Sequence, residues 1–135
     1  MQSFRDLYGE KVWEMYQNLE HKGSMENPDI VCPMQNNLCG DWVQYFIRIE
    51  DNVIKEIKYD SMGCALSLVG CELAARAFEG KKIEEVLAIN NKELMDTLGT
   101  SIEERGHCTL FSIGAFKECL EKYLKEKKDT SEKAD

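Results

Sequence analysis

With 135 residues, 17 basic against 25 acidic side chains and a formal charge of −8, the chain has the length of one domain and the wrong sign for nucleic-acid phosphates or anionic membrane surfaces. Hydrophobic residues make up 43% and charged residues 31%, an ordinary globular balance, so no metal is needed to rescue an undersized core. The start, MQSFRDLYGEKVWEMY, lacks a secretory signal or a transit-peptide composition, and no apolar run approaches the roughly 20 residues of a membrane span. The expectation is a cytoplasmic protein whose six cysteines are reduced and open to metal or sulfur chemistry.

Residues 4–20 predict a helix with Tyr8, Val12, Met15 and Leu19 on one face. Gly23 and the turn signal Asn27-Pro28-Asp29 follow in a polar loop. Residues 30–40 read as a short strand running into a tight loop. From Asp41 the period becomes two: Val43, Tyr45, Ile47 and Ile49 point one way, Gln44, Arg48 and Glu50 the other. Asp51-Asn52 makes a turn, and Val53 to Tyr59 returns as the second strand of an antiparallel hairpin. A one-residue slip would bury Arg48, so the register is set.

After Cys64 the period is helical, with Leu66, Val69, Leu73, Ala77 and Phe78 in a stripe that ends at Gly80. Short helices are expected around 83–87 and 92–98, the second capped by Asn90 or Asn91. A last helix runs from Cys108 to Lys125, with Leu110, Ile113, Phe116, Leu120 and Leu124 inward. Residues 127–135 form a charged tail without apolar residues, expected to be disordered, behind a single domain of residues 1–126. The fold class is α+β, a small antiparallel β-sheet packed with several helices.

Three cysteines sit where a metal site would want them. Cys39 lies in LCGD just before the first hairpin strand, and Cys64 in SMGC just after the second. A hairpin brings its entry and exit together, so these two should be neighbours despite their 25-residue offset. Cys108, in RGHC, begins the last helix. Helix N-termini favour thiolate through the macrodipole and unpaired N–H groups, which applies to Cys64 and Cys108. Asp41, two residues beyond Cys39, can share its side of the strand, and His107 directly precedes Cys108. The donor set is then three sulfurs with Asp41 or His107 as the fourth ligand, which by spacing alone suits zinc or iron. Each cysteine taken singly is more often a buried small hydrophobe; the convergence of three loops on one end of a hairpin argues for ligands. Cys71 and Cys119 lie about 10 and 16 Å along their helices from Cys64 and Cys108, too far to share a metal, and read as core residues. Cys32 reads as a loop residue and the most reactive of the remaining three.

LCGD, SMGCALS and RGHCTL, in this order and spacing, together with YGEKVWEMYQN at the start, closely resemble the U-type iron–sulfur scaffold family: IscU, SufU and the N-terminal domain of NifU. The resemblance covers residues 4–125. The 44-residue step from Cys64 to Cys108 is similar to the IscU and NifU type, since SufU-like chains carry an insertion there. Two departures stand out. TSIEERG replaces the LPPVK chaperone-recognition segment common in IscU-type proteins, and Asn18-Leu19 replaces the Asn-Pro that ends the family's first helix.

The resemblance implies the IscU/SufU-like fold, with Cys39, Asp41, Cys64 and Cys108 as cluster or zinc ligands and His107 as an additional or exchanging one. It implies a scaffold that builds a 2Fe–2S cluster from iron and desulfurase-derived persulfide sulfur and transfers it to apo-proteins, without turnover of its own as an enzyme. Cys108 is the expected persulfide acceptor and Cys39 the runner-up; zinc is expected in aerobically purified protein. The implied partners are a cysteine desulfurase, an electron donor such as ferredoxin, and apo iron–sulfur acceptors. A homodimer and a 4Fe–4S form stay open. The rival readings are a zinc-bound sulfurtransferase that relays persulfide without building a cluster, and a structural zinc domain. The Asp41 and His107 pair looks exchangeable, whereas a closed structural site favours four firm ligands.

Overall fold

The computed structural model describes residues 9–35, 40–63, 65–98 and 106–133, with side chains in the last stretch described from 108 to 127. Among them the order is α1 (Glu10–Gln17), β1 (Ile30–Gln35), β2 (Trp42–Glu50), β3 (Val53–Met62), α2 (Ala65–Phe78), α3 (Ile83–Ala88), α4 (Asn91–Asp96) and α5 (Gly106–Lys133). The strands form one antiparallel sheet in the order β1-β2-β3, covered by helices as the α+β reading expects. No described helix is long and apolar enough to cross a membrane.

The hairpin follows its sequence pattern. Val43, Tyr45 and Ile47 are fully buried, and Asp51 and Asn52 both take positive φ (52° and 66°). Two such residues in succession make the tight turn whose twist matches the flanking strands. A register shift between Arg48 and Ile49 brings Ile49 opposite Ile54, and Ile49 is half-buried instead of continuing the core row. β3 runs three residues beyond the expected Tyr59, because Asp60, Ser61 and Met62 go on pairing with Gln44, Val43 and Trp42.

α2 is buried on more than the predicted stripe. Gly70, Cys71, Ala74 and Ala75 are covered along with Leu66, Val69 and Leu73, because the helix is sandwiched between the sheet and α5. Small residues let the neighbours approach: a Cβ on Gly70 would come within 2.8 Å of the Thr109 carbonyl oxygen. Tyr45, Phe78 and Phe116 close the middle, with Tyr45 edge-on to Phe116 at 5.1 Å between ring centroids.

Three expectations need correction. α1 ends at Gln17, three residues short of the predicted end, because Asn18 caps it: its N–H donates to Met15 O and its amide to Glu14 O. α5 runs to Lys133, eight residues past the expected end at Lys125. Lys and Glu are good helix formers, and nothing in KEKKDTSEK breaks the helix. Cys32 lies in β1 instead of a loop, and Cys32 and Cys119 form a disulfide, so the cysteines are not all reduced. Cys32 stands opposite Tyr45 in the antiparallel register and shares its buried face, where α5 presents Cys119.

One buried charge ties the N-terminal segment to this frame. The fully buried Glu72 accepts hydrogen bonds from the His21 N–H, the Tyr59 hydroxyl and Arg76 Nε, and its carboxylate lies 2.7 Å from His21 Nδ1. Burial alone would raise its pKa, but the hydrogen bonds from His21, Arg76 and Tyr59 outweigh it and hold the carboxyl below its ordinary value. A depressed folded pKa stabilises the protein above the unfolded value and loses that contribution as pH falls through the folded one. Glu72→Gln should therefore cost about 3 kcal/mol at pH 7, read by urea denaturation. The difference from wild type should shrink as the medium is acidified below the ordinary carboxyl range. A gap that stays constant down to pH 3 would contradict the account.

Candidate metal and sulfur site

The ends of the elements assemble a polar corner at one edge of the sheet. Gln35, Trp42 and Met62 are aligned across β1, β2 and β3, so the start of β2 and the end of β3 lie side by side. Gly40, at φ 77°, turns the chain into β2 and delivers Asp41 to the interior, where the residue is only 7% exposed. Its Oδ2 accepts a 2.5 Å hydrogen bond from Ser67 Oγ in the first turn of α2. The other wall is Gly63, whose φ of 154° and missing side chain make room for Asp41. A Cβ built there would stand 2.8 Å from Asp41 Cβ and closer still to the carboxyl group.

α5 is clasped to the same corner by its first turns. Thr109 Oγ1 donates to Leu66 O at 3.2 Å, and Ser112 Oγ donates to Ser67 O at 2.9 Å. Tyr45 then donates its hydroxyl to Ser112 O at 2.6 Å, tying α5 to β2. Cys108, in the first turn of α5, is fully buried and its carbonyl accepts from Ser112 Oγ. Asp41, Ser67, Thr109 and Ser112 are buried polar residues serving this junction.

Of the sequence-derived site residues, Asp41 and Cys108 are placed by the structure. Cys39, Cys64 and the side chain of His107 lie outside the described residues, as does the TSIEERG segment through residue 105. Among the described residues no group of three His, Cys, Asp or Glu side chains is arranged to hold a metal ion. The chain neighbours on both sides of Cys64, Gly63 and Ala65, flank the corner, and Gly40, which follows Cys39, opens into it. Cys71 is outside the corner. It is buried in the core near Tyr45 and Ser112, and burial pushes its thiol up to about 12, which suits an inert core residue.

Sequence reasoning missed the two residues that shape the carboxylate, Ser67 and Gly63. Ser67 had a readable signal: it is a lone hydroxyl in the apolar run ALSLVG, three residues after Cys64 in the sequence.

The model of the NifU-like N-terminal domain family matches residues 7–130. The chain belongs to that family. It is 30% identical over 120 residues to the iron–sulfur cluster assembly scaffold protein IscU 1 of Archaeoglobus fulgidus, covering 89% of this chain and 78% of that one. It is 29% identical over 84 residues to the zinc-dependent sulfurtransferase SufU of Bacillus subtilis, a match covering 62% of this chain and 56% of that one. In three dimensions it is similar to the NifU-like protein (N-terminal) from Brucella abortus, with a TM-score of 0.72 at 22% identity, over 91% of this chain and 97% of that one. The fold and the family expected from LCGD, SMGC and RGHC are therefore those of the protein.

Proposed function

We propose that this protein is a scaffold on which an iron–sulfur cluster is built and from which it is passed to acceptor proteins. The observation that carries the reading is the buried Asp41 carboxylate at the meeting point of β2, β3, α2 and α5, where the chain carries a cysteine before β2, between β3 and α2, and at the start of α5. Cys39 precedes Gly40-Asp41, Cys64 sits between Gly63 and α2, and Cys108 lies in the first turn of α5. Sulfur and oxygen donors of this kind suit zinc and iron. The family membership and the A. fulgidus relative support the same reading.

In this proposal Cys39, Asp41, Cys64 and Cys108 hold the metal ions, with His107 beside Cys108 as the exchanging ligand. The cargo is a 2Fe–2S unit. A cysteine desulfurase presents its persulfide, and the outer sulfur moves to a scaffold thiolate, one S–S bond breaking as another forms. Two electrons from a donor of the ferredoxin class then release the sulfur as sulfide. Cys108 is the proposed acceptor and Cys39 the alternative. Cys108 is fully buried, so the desulfurase must gain access to its thiol when it docks. The protein performs no turnover of its own, and in the absence of iron the same donors hold zinc.

Anaerobic reconstitution with iron, sulfide and a reductant, followed by visible and Mössbauer spectra, tests the proposal. The expected result is a 2Fe–2S signature on wild type, and neither cluster nor stoichiometric zinc on the triple variant Cys39→Ser, Cys64→Ser, Cys108→Ser. Zinc retained by that variant would place the metal elsewhere. The SufU relative motivates the rival persulfide relay. A wild-type protein that accepts persulfide from a desulfurase yet yields no cluster would favour that relay.

A further inference from the structure

The Cys32–Cys119 disulfide belongs to neither the corner nor the family's ligand set. It joins an edge strand to the C-terminal helix across a sequence separation of 87 residues, with a Cα–Cα distance of 5.9 Å. Both cysteines are buried, Cys119 fully and Cys32 all but 6%, yet unlike Cys71 they stand at the margin of the core, where they line a surface pocket of about 140 Å³. Ile30, Val31 and Tyr123 supply its apolar wall, and Lys122, Glu126 and Asp29 its polar lining. Asp29 is already engaged, accepting from the Ile49 N–H at 2.7 Å. Lys122 is the cation on that lining.

The bridge also has a mechanical position. β1 ends at Gln35, four residues before Cys39, and α5 begins at Gly106, two residues before Cys108. One covalent bond thus ties together the two elements from which two of the three proposed ligand cysteines depart. Among the described residues β1 is an edge strand, paired along its length with β2, and the disulfide adds a covalent tie to α5 on its buried face.

We propose that Cys32 and Cys119 form a reversible redox site, a dithiol–disulfide couple that exchanges with small thiols and disulfides through this pocket and, when oxidised, clamps β1 to α5. Oxidation starts when the Cys32 thiolate attacks a low-molecular-weight disulfide of the glutathione class, forming a mixed disulfide and releasing one small thiol. Cys119 then attacks the Cys32 sulfur, closes the protein disulfide and expels the second small thiol. The protein loses two electrons and two protons, and the small disulfide is reduced to two thiols. Cys32 is the entry sulfur because it retains 6% exposure, whereas Cys119 is fully enclosed. The inference does not depend on cluster assembly, and its test uses neither cluster nor desulfurase.

The as-purified full chain is equilibrated without denaturant in glutathione buffers of graded reduced-to-oxidised ratio, acid-quenched and mapped by differential alkylation and peptide mass spectrometry. Cys32 and Cys119 should change state together and reversibly over one range of ratios, while Cys71 stays reduced. Cys119→Ser should accumulate a glutathione adduct on Cys32, and Cys32→Ser should carry little on Cys119. The oxidised wild type should melt on the order of 10 °C above its reduced form, from the closure of an 87-residue loop. Thiols that persist in the most oxidising buffer would overturn the proposal. So would a bond that yields to reduction only once the protein unfolds, which would make it a static brace. Equal melting of the two forms would remove the clamp.

Discussion

Gly63→Ala should destabilise the protein by about 2–4 kcal/mol and abolish stoichiometric zinc binding, a large effect for one added methyl group. Two penalties coincide. The backbone at φ 154° is one that L residues rarely adopt, and the new Cβ would overlap the Asp41 side chain. Asp41 has no easy retreat, because it enters β2 at Trp42, which pairs with Met62, and its carboxylate is held by Ser67. Either the carboxylate swings out and breaks that hydrogen bond, or the end of β3 peels from β2. Both displace the neighbours of Cys39 and Cys64. Gly80→Ala is the control: its φ of 89° carries the backbone strain, but nothing stands within 4 Å of the added atom. That variant should lose about 1 kcal/mol, typical of an L residue forced into a left-handed conformation, and keep its zinc. Thermal melts with metal analysis of both proteins make the comparison. Full zinc occupancy in Gly63→Ala would show that Asp41 and its surroundings are not part of the metal site.

The parts of this molecule legible in the sequence are those in which a local rule and the tertiary structure agree. The β2–β3 hairpin is one: alternation, an Asp-Asn turn and a buried Arg48 under any slipped register all point to the same pairing. The position of the corner was legible for the same reason, since a hairpin must return its ends to one place. What the sequence hid depends on contacts between distant segments. Cys32 and Cys119 are 87 residues apart, and neither spacing nor periodicity links an edge strand to the eleventh residue after Cys108. The near-complete burial of α2 was equally hidden, because Gly70, Cys71, Ala74 and Ala75 become core residues only when α5 packs on their side. The far end of α5 was not legible from the apolar stripe, which stops at Leu124, because charged residues that cannot build a core can still extend an existing helix.

Asp41→Ala should give a cluster that survives longer and leaves more slowly, by on the order of tenfold, equivalent to about 1.4 kcal/mol on the exchange barrier. The reasoning starts from the donor types. A carboxylate is a harder ligand than thiolate and suits the soft iron–sulfur unit less well, so in the proposed ligand set one Asp among three Cys leaves a weak point where an acceptor's thiol can enter. The structure adds that the Asp41 carboxylate is shared, since Ser67 donates to its Oδ2 at 2.5 Å. A hydrogen bond to an ionised oxygen draws donor strength away from a metal, which weakens that point further. With Asp41 gone, His107, adjacent to Cys108, can complete the shell with a softer nitrogen donor. The competing view is that Asp41 only braces the junction of β2 with α2. Losing a charged hydrogen bond would then cost about 1.5–3 kcal/mol and would loosen the site, giving an earlier melt and a faster loss of cluster. Ser67→Ala separates the two effects, because it removes the hydrogen bond but keeps the carboxylate. The exchange account expects a long-lived cluster in Asp41→Ala and, in Ser67→Ala, a lifetime modestly above wild type, because the carboxylate freed from Ser67 binds more firmly. Cluster decay by visible absorbance, transfer to an apo-ferredoxin and melting of the apo-proteins supply the three readouts. If Asp41→Ala melts earlier and sheds its cluster faster than wild type, Asp41 is a brace and the exchange point lies elsewhere.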